Sequence, residues 1–186
     1  MTFDPSIVAE AAADRRLRLF TLYADFAAAE RARWAAGRLS QLAGEQWESC
    51  TEMWHLNSLV AGEANLAHDA AHADVLIVAV SSLEWRESKL TQWLDSLVVT
   101  NDRSRFCGLL IGLLGDEHNQ SGELDWTVKQ LLRQARRTDR DFIWHWMGAE
   151  AMTDDDWLVD CMEALLARKC LVGDVPFLQD TAWRMA

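Results

Sequence analysis

Proline, tyrosine and cysteine are scarce in this chain, whose 186 residues include two prolines, one tyrosine and four cysteines. No segment rich in glycine, proline or serine divides the chain, so no interdomain linker is predicted. A chain of this length can bury one full hydrophobic core. We therefore expect a single domain over residues 1–186, with residues 150–186 as a C-terminal helix and tail.

Long apolar segments are also missing, and none approaches the roughly 18 residues that a membrane-spanning helix needs. The first residues, MTFDPSIVAEAAADRR, are acidic before they are basic, which is not the charge order of a signal peptide. A cytoplasmic location is the resulting expectation. In that reducing compartment the widely spaced cysteines are expected to be small buried side chains, because no Cys-x-x-Cys pair indicates zinc. They are Cys50, Cys107, Cys161 and Cys170.

Positive charge is in the minority, with 18 basic against 29 acidic residues and a net charge of −11. This balance disfavours binding to nucleic-acid backbones and to anionic membranes. Two basic segments, residues 15–18 and 133–140, are interpreted as solvated faces of a strand and a helix. The expected partner is therefore a protein or a small molecule.

Familiar catalytic motifs are absent as well, since the chain has no GxGxxG, GxxxxGK[ST] or GxSxG segment. His68 and His72 have the i, i+4 spacing that can hold zinc on a helix, but the sequence indicates no third ligand. We interpret them as part of an exposed helix face. The sequence thus predicts no metal site and no catalytic residue.

Apolar segments alternate regularly with amphipathic ones along the chain. This alternation predicts a parallel sheet with helices on both faces. We expect an α/β, three-layer, doubly wound five-stranded sheet with strand order 2-1-3-4-5, and a Rossmann-like order is the alternative. The predicted strands are residues 17–24, 47–56, 74–80, 106–115 and 141–148, and the predicted helices are residues 25–44, 58–73, 85–99, 122–139 and 153–169.

Ligands of such sheets bind beyond the carboxyl ends of the strands, where the strand order reverses. Three loops are expected there, at residues 24–26, 81–86 and 115–121. They contain hydroxyl, charged and aromatic side chains and one glycine. The candidate ligand-binding residues are Asp25, Phe26, Ser81, Ser82, Trp85, Arg86, Gly115, Asp116, Glu117 and His118.

The segment from Asp74 to Asp95 resembles a known family. Ala73 and Asp74 precede the apolar run VLIVAV, the loop SSLEWR follows, and Asp95 lies in the next amphipathic helix. This arrangement is similar to the third strand and following helix of the NADPH-dependent FMN reductases, which have a flavodoxin-like fold. The resemblance implies that fold, an FMN cofactor and oxidation of a nicotinamide nucleotide.

The first loop differs from that family's pattern. There, hydroxyl-bearing residues and backbone N–H groups surround the FMN phosphate, whereas this chain has YADFAAAERARW. Asp25 stands at the helix start, where its carboxylate competes with a phosphate. We therefore expect a flavodoxin-like binding or protein-interaction module without catalytic residues or a cofactor. An FMN-dependent NAD(P)H oxidoreductase with an atypical phosphate loop is the alternative.

Tryptophan is abundant, with ten residues spread over all predicted elements. Because tryptophan is seldom fully buried, some of these side chains are expected at the surface. The C-terminal segment VPFLQDTAWRM is apolar and has no clear period. It is expected to cover either its own domain or a second copy, so a homodimer is one of the two predicted arrangements.

Overall fold

A computed structural model describes residues 16–60, 65–80, 92–97, 108–115, 122–146 and 155–172. Five parallel strands form one sheet in the order β2-β1-β3-β4-β5. This result confirms the predicted order and rules out the Rossmann-like alternative. The strands are β1 (Arg16–Tyr23), β2 (Glu48–His55), β3 (Val75–Val80), β4 (Leu109–Leu114) and β5 (Asp141–Trp146).

Helices connect the strands, as predicted. Residues 92–97 are also helical. The predicted helix over residues 58–73 is wrong in extent, because a 3-10 helix at Leu56–Val60 follows β2 and the α-helix begins at Asn65. Gly62, a poor helix former, separates the two in the sequence. The numbered helices are α1 (Phe26–Ala43), α2 (Asn65–Ala71), α3 (Gly122–Arg137) and α4 (Asp156–Val172).

Strands β3 and β4 are buried along their whole length. Leu76, Val78 and Leu110 face a core shared with α2, residues 92–97 and α3. Ile77 and Ile111 face the opposite core, which α1 and α4 cover. Burial on both faces explains why these strands are continuous apolar runs instead of alternating ones.

Helix α1 is delimited by local signals in the sequence. Asp25 is its N-cap, and Gly44 ends it with a φ of 77°, a conformation that glycine adopts without steric cost. Its buried face consists of small residues such as Ala28, Ala32 and Ala35. Alanine has no side-chain atom beyond Cβ, so the helix can lie close to β1 and β3. The predicted range of this helix, residues 25–44, is confirmed to within one residue at each end.

An ion pair lies at the amino edge of the sheet, where the parallel strands begin. Asp74 Oδ2 accepts a hydrogen bond from the backbone N–H of Arg18 at 2.7 Å and lies 2.7 Å from Lys169 Nζ. Lys169 Nζ also donates to the carbonyl of Arg16 at 2.6 Å and lies 5.3 Å from the centroid of the Trp47 ring. Asp74, which contributed to the family resemblance, therefore joins β1, β3 and the end of α4.

Most of the described tryptophans pack against the two cores. Trp93, for example, stacks on Phe20 with ring centroids 6.2 Å apart. Among the described residues, the exposed large hydrophobic side chains are Phe26 and Trp144. The C-terminal segment 175–185 lies outside the described residues, so the homodimer remains a prediction.

Cys50 and Cys161 differ in burial, and this predicts a difference in reactivity. Burial, together with the charge of Asp160, raises the pKa of the Cys161 thiol from 9.0 to about 12, whereas Cys50 is exposed. Because the thiolate is the nucleophile, iodoacetamide at pH 8 should label Cys50 and leave Cys161 unmodified until the protein is unfolded. Peptide mass spectrometry measures both sites in one sample, and rapid native labelling of Cys161 would contradict the prediction.

The same pKa shift has a consequence for stability. Below pH 9 the Cys161 thiol is protonated in both the folded and the unfolded chain, so its contribution to stability is complete there. Between pH 9 and about 12 the unfolded chain loses this proton while the folded chain retains it. The free energy of unfolding should therefore decrease over this interval, and Cys161→Ala should lessen the decrease.

Candidate functional site

The carboxyl ends of β1 and β3 lie side by side at the point where the strand order reverses. Tyr23 pairs with Ala79 across these strands, and the N–H of Ala24 donates to the carbonyl of Ala79 at 3.1 Å. The chain then turns directly into α1. In open α/β sheets this position is where ligands bind, so the predicted loop at residues 24–26 occupies the expected place.

Asp25 uses its side chain to cap α1. Its Oδ1 accepts a hydrogen bond from the N–H of Ala28 at 2.9 Å, and its backbone carbonyl accepts from the N–H of Ala29 at 2.9 Å. The carboxylate thus places a negative charge at the positive end of the helix dipole. The carboxylate would repel an anionic ligand that approaches this helix start. The N–H of Ala28 already donates to Asp25 and is not available to the ligand.

The other side chains of the first turn offer no polar groups. Phe26 is 76% exposed. Ala27 is also exposed, whereas Ala28 and Ala29 are buried against the sheet. Among the groups of this turn, only backbone groups could therefore donate to a phosphate. Phe26 instead adds an exposed aromatic ring at the rim of the candidate site.

Arg31 is a residue at this end of the sheet that the sequence prediction missed. It lies in the second turn of α1, where its Nε donates to the carbonyl of Ala27 at 3.2 Å. Its Nη1 donates to the carbonyl of Leu114, the last residue of β4, at 3.3 Å. The guanidinium therefore connects α1 to β4 and brings a positive charge to the carboxyl end. The available sequence signal was an arginine that follows three consecutive alanines and Glu30 near the start of α1.

Gly115 directly follows β4 and is buried, next to the carbonyl that Arg31 contacts. Asp25, Phe26 and Gly115 are thus the candidate ligand-binding residues that the structure describes, and all three follow the ends of β1 and β4. The remaining candidates lie outside the described residues and stay predictions. They are Ser81, Ser82, Trp85, Arg86, Asp116, Glu117 and His118.

The described part of this site does not fit the phosphate of FMN. In a flavodoxin-like site the phosphate would be held at the start of the helix after β1, as the family resemblance implies. Here the Asp25 carboxylate accepts the Ala28 N–H at that position, and alanines replace hydroxyl-bearing side chains. The flavin ring would contact loops 81–86 and 115–121, of which the structure describes only Gly115.

A separate cavity of about 550 Å³ lies between β1, β2 and α2. Phe20 and Cys50 contribute to its strand side, and His68, Asp69 and His72 contribute to its helix side. In the part of the chain that the structure describes, no group of three histidine, cysteine or acidic side chains is placed to hold a metal ion. Within the same residues, no helix is long and apolar enough to span a bilayer.

Comparisons with known proteins identify the fold. No family model matches the sequence, and no curated protein matches it. Among solved structures, the chain is similar to a short-chain flavodoxin associated with a bacterial microcompartment, with a TM-score of 0.54. The two are 15% identical, and the match covers 82% of this chain and 98% of the other. With its strand order 2-1-3-4-5, the chain therefore has a flavodoxin-like fold.

Proposed function

We propose that this flavodoxin-like domain is a binding or protein-interaction module that does not hold FMN through its phosphate and carries no catalytic residues. The observation that supports this proposal is the cap of α1. Asp25 Oδ1 accepts the Ala28 N–H at 2.9 Å, at the helix start where a phosphate would otherwise be favoured.

The electrostatic cost of placing a phosphate there can be bounded. Two unit negative charges about 5 Å apart repel by about 1 kcal/mol in water and about 3 kcal/mol near a protein surface. The phosphate would also have to displace the Asp25 side chain from its hydrogen bond to Ala28. Together these effects are large enough to reduce FMN affinity by at least about tenfold, since each factor of ten corresponds to about 1.4 kcal/mol.

An FMN-dependent NAD(P)H oxidoreductase is the second candidate function. The likeness to a solved flavodoxin favours it, because proteins of one fold often use the same end of the sheet for ligands. Fold alone does not establish activity. In this alternative the phosphate would be held by groups other than the start of α1.

FMN and riboflavin titrations test the proposal, since the two flavins differ by the phosphate. Asp25→Ser should increase FMN affinity by about tenfold and leave riboflavin affinity unchanged. Serine is also a good N-cap, so the variant should keep α1 and its stability. Quenching of tryptophan fluorescence and retained flavin absorbance after removal of free dye report binding.

Glu30→Gln is the matched control, because it removes one negative charge from an exposed position of the same helix. Its FMN affinity should remain within about twofold of wild type, as expected for an exposed charge screened by solvent. Equal FMN affinity in the wild type and Asp25→Ser would overturn the proposal that the Asp25 carboxylate weakens binding of the FMN phosphate. Tight FMN binding by the wild type, with reduction of the flavin by NADPH, would establish the alternative function.

A further inference from the structure

We propose that His68 and His72 form a two-imidazole site for a divalent transition metal ion, zinc or copper, at the cavity between β1, β2 and α2. This proposal is independent of the function proposed for the carboxyl end of the sheet. The sequence indicated an exposed helix face here, and His68 is indeed exposed. The geometry of the two rings and the hydrogen bond of His72 supply the further observations.

The two rings are already close together. Their centroids are 4.2 Å apart and their planes are inclined by 40°. His68 lies in the last turn of α2, and His72 follows the end of that helix. Histidines four residues apart on a helix lie on the same face, where one ion can contact both at metal–nitrogen distances of about 2.0–2.1 Å. Only side-chain rotations are needed to direct one nitrogen of each ring toward a common point.

A hydrogen bond assigns the ring nitrogen of His72 that is available to a metal ion. His72 Nδ1 lies 2.7 Å from the carbonyl oxygen of His68. A carbonyl oxygen can only accept, so Nδ1 carries the proton and the neutral ring presents the lone pair of Nε2. Metal-binding histidines commonly donate their other ring N–H to a carbonyl or a carboxylate in this way. The backbone carbonyl therefore selects the tautomer that leaves Nε2 of His72 for the ion.

The cavity provides room and counter-charge for the ion. Asp69 lies between the two histidines in sequence, and Glu52 lines the facing strand. Arg16 and Arg18 also line the cavity, but Arg16 is paired with Glu48 at 3.1 Å. Since the described residues supply no third ligand in place, water would complete the coordination. An open coordination sphere of this kind is typical of exchangeable sites and not of closed structural ones.

The donor set determines which ions should bind. Imidazole nitrogen suits zinc, copper and nickel, whereas magnesium and calcium prefer oxygen ligands. Copper(II) should bind more tightly than zinc(II) at the same two nitrogens, following the general order of affinities for divalent metals. Magnesium should not compete.

Isothermal titration of the full chain with Zn²⁺ at pH 7.5 tests the site. The wild type should bind one ion in this site, and His68→Gln and His72→Gln should each weaken binding by at least about tenfold, the range seen when support of a ligand is lost. His55→Gln is the matched control, because His55 lies on β2 and does not line the cavity. Thermal melts of all variants establish that they are folded.

Electron paramagnetic resonance with Cu²⁺ identifies the ligands directly. A Cys50→Ser background avoids thiol oxidation at the cavity wall. The spectrum should show coupling to two imidazole nitrogens, and either glutamine substitution should reduce this number to one. The proposal is overturned if Zn²⁺ fails to bind, if both histidine variants keep wild-type affinity, or if the copper spectrum is unchanged by them.

Discussion

Replacement of Gly108 by alanine is expected to lower the free energy of unfolding by about 3 kcal/mol or more. A Cβ at this position would overlap the backbone carbonyl oxygen of Asp74. That oxygen cannot move aside easily, because it accepts the N–H of Leu109 at 2.8 Å. On the other side, the carbonyl of Gly108 accepts the N–H of Asp141 at 3.1 Å. Gly108 is thus held between β3 and β5, where there is room for its hydrogen atom but not for a methyl group.

Urea unfolding followed by circular dichroism measures this effect. Gly37→Ala is the control, because Gly37 is an exposed residue of α1 and a Cβ there would meet no atom within 4 Å. Alanine at a helical glycine should stabilise the protein by about 0.5–1 kcal/mol. A loss below about 1 kcal/mol for Gly108→Ala, less than overpacking ordinarily costs, would contradict the close approach of β4 to Asp74.

Replacement of Asp74 by alanine is expected to destabilise the protein by about 3 kcal/mol, because it leaves a largely buried ammonium without its partner. The side chains of Asp74 and Lys169 are each 15% exposed. The substitution also removes the acceptor for the backbone N–H of Arg18. Asp74→Asn should cost less, since the amide oxygen can still accept that hydrogen bond.

A double-mutant cycle separates the pair from its surroundings. Asp74→Ala, Lys169→Met and the double variant should give a coupling energy of about 1–3 kcal/mol in urea unfolding. The control is the exposed pair of Arg16 and Glu48, whose side chains are 61% and 75% exposed. Glu48→Gln should change stability by less than about 0.5 kcal/mol. A coupling energy below about 0.5 kcal/mol, as expected of an exposed pair, would refute the role assigned to Asp74.

These two large effects concern the amino edge of the sheet, whereas the proposed ligand end is at the opposite edge. Gly108 and Asp74 precede their strands, and Asp25 follows the end of β1. Substitutions at the amino edge should therefore alter stability without changing ligand specificity. Asp25→Ser should instead change ligand binding without altering stability, because serine preserves the cap of α1. This separation allows folding defects and binding defects to be distinguished.

Part of the candidate site could be predicted because its determinants are local. Asp25 lies immediately before an amphipathic segment and Gly44 lies immediately after it, so the cap and the end of α1 follow from neighbouring residues. Arg31 could not be found in this way. Its guanidinium contacts Leu114, 83 positions away in the chain, and helical periodicity carries no information about such a distant partner.

The sequence by itself determined the α/β class and the limits of most elements, and it left two strand orders open, between which the tertiary structure decided. Apolar runs such as Val75–Val80 and Leu109–Leu114 are typical of strands that are buried on both faces of a parallel sheet. Each such strand can therefore be recognised from its own residues. Only the tertiary structure decided that Asp74 pairs with Lys169 and that His68 and His72 face a cavity. These contacts depend on how separate elements are placed around the sheet, and the spacing of residues within one element does not encode that placement.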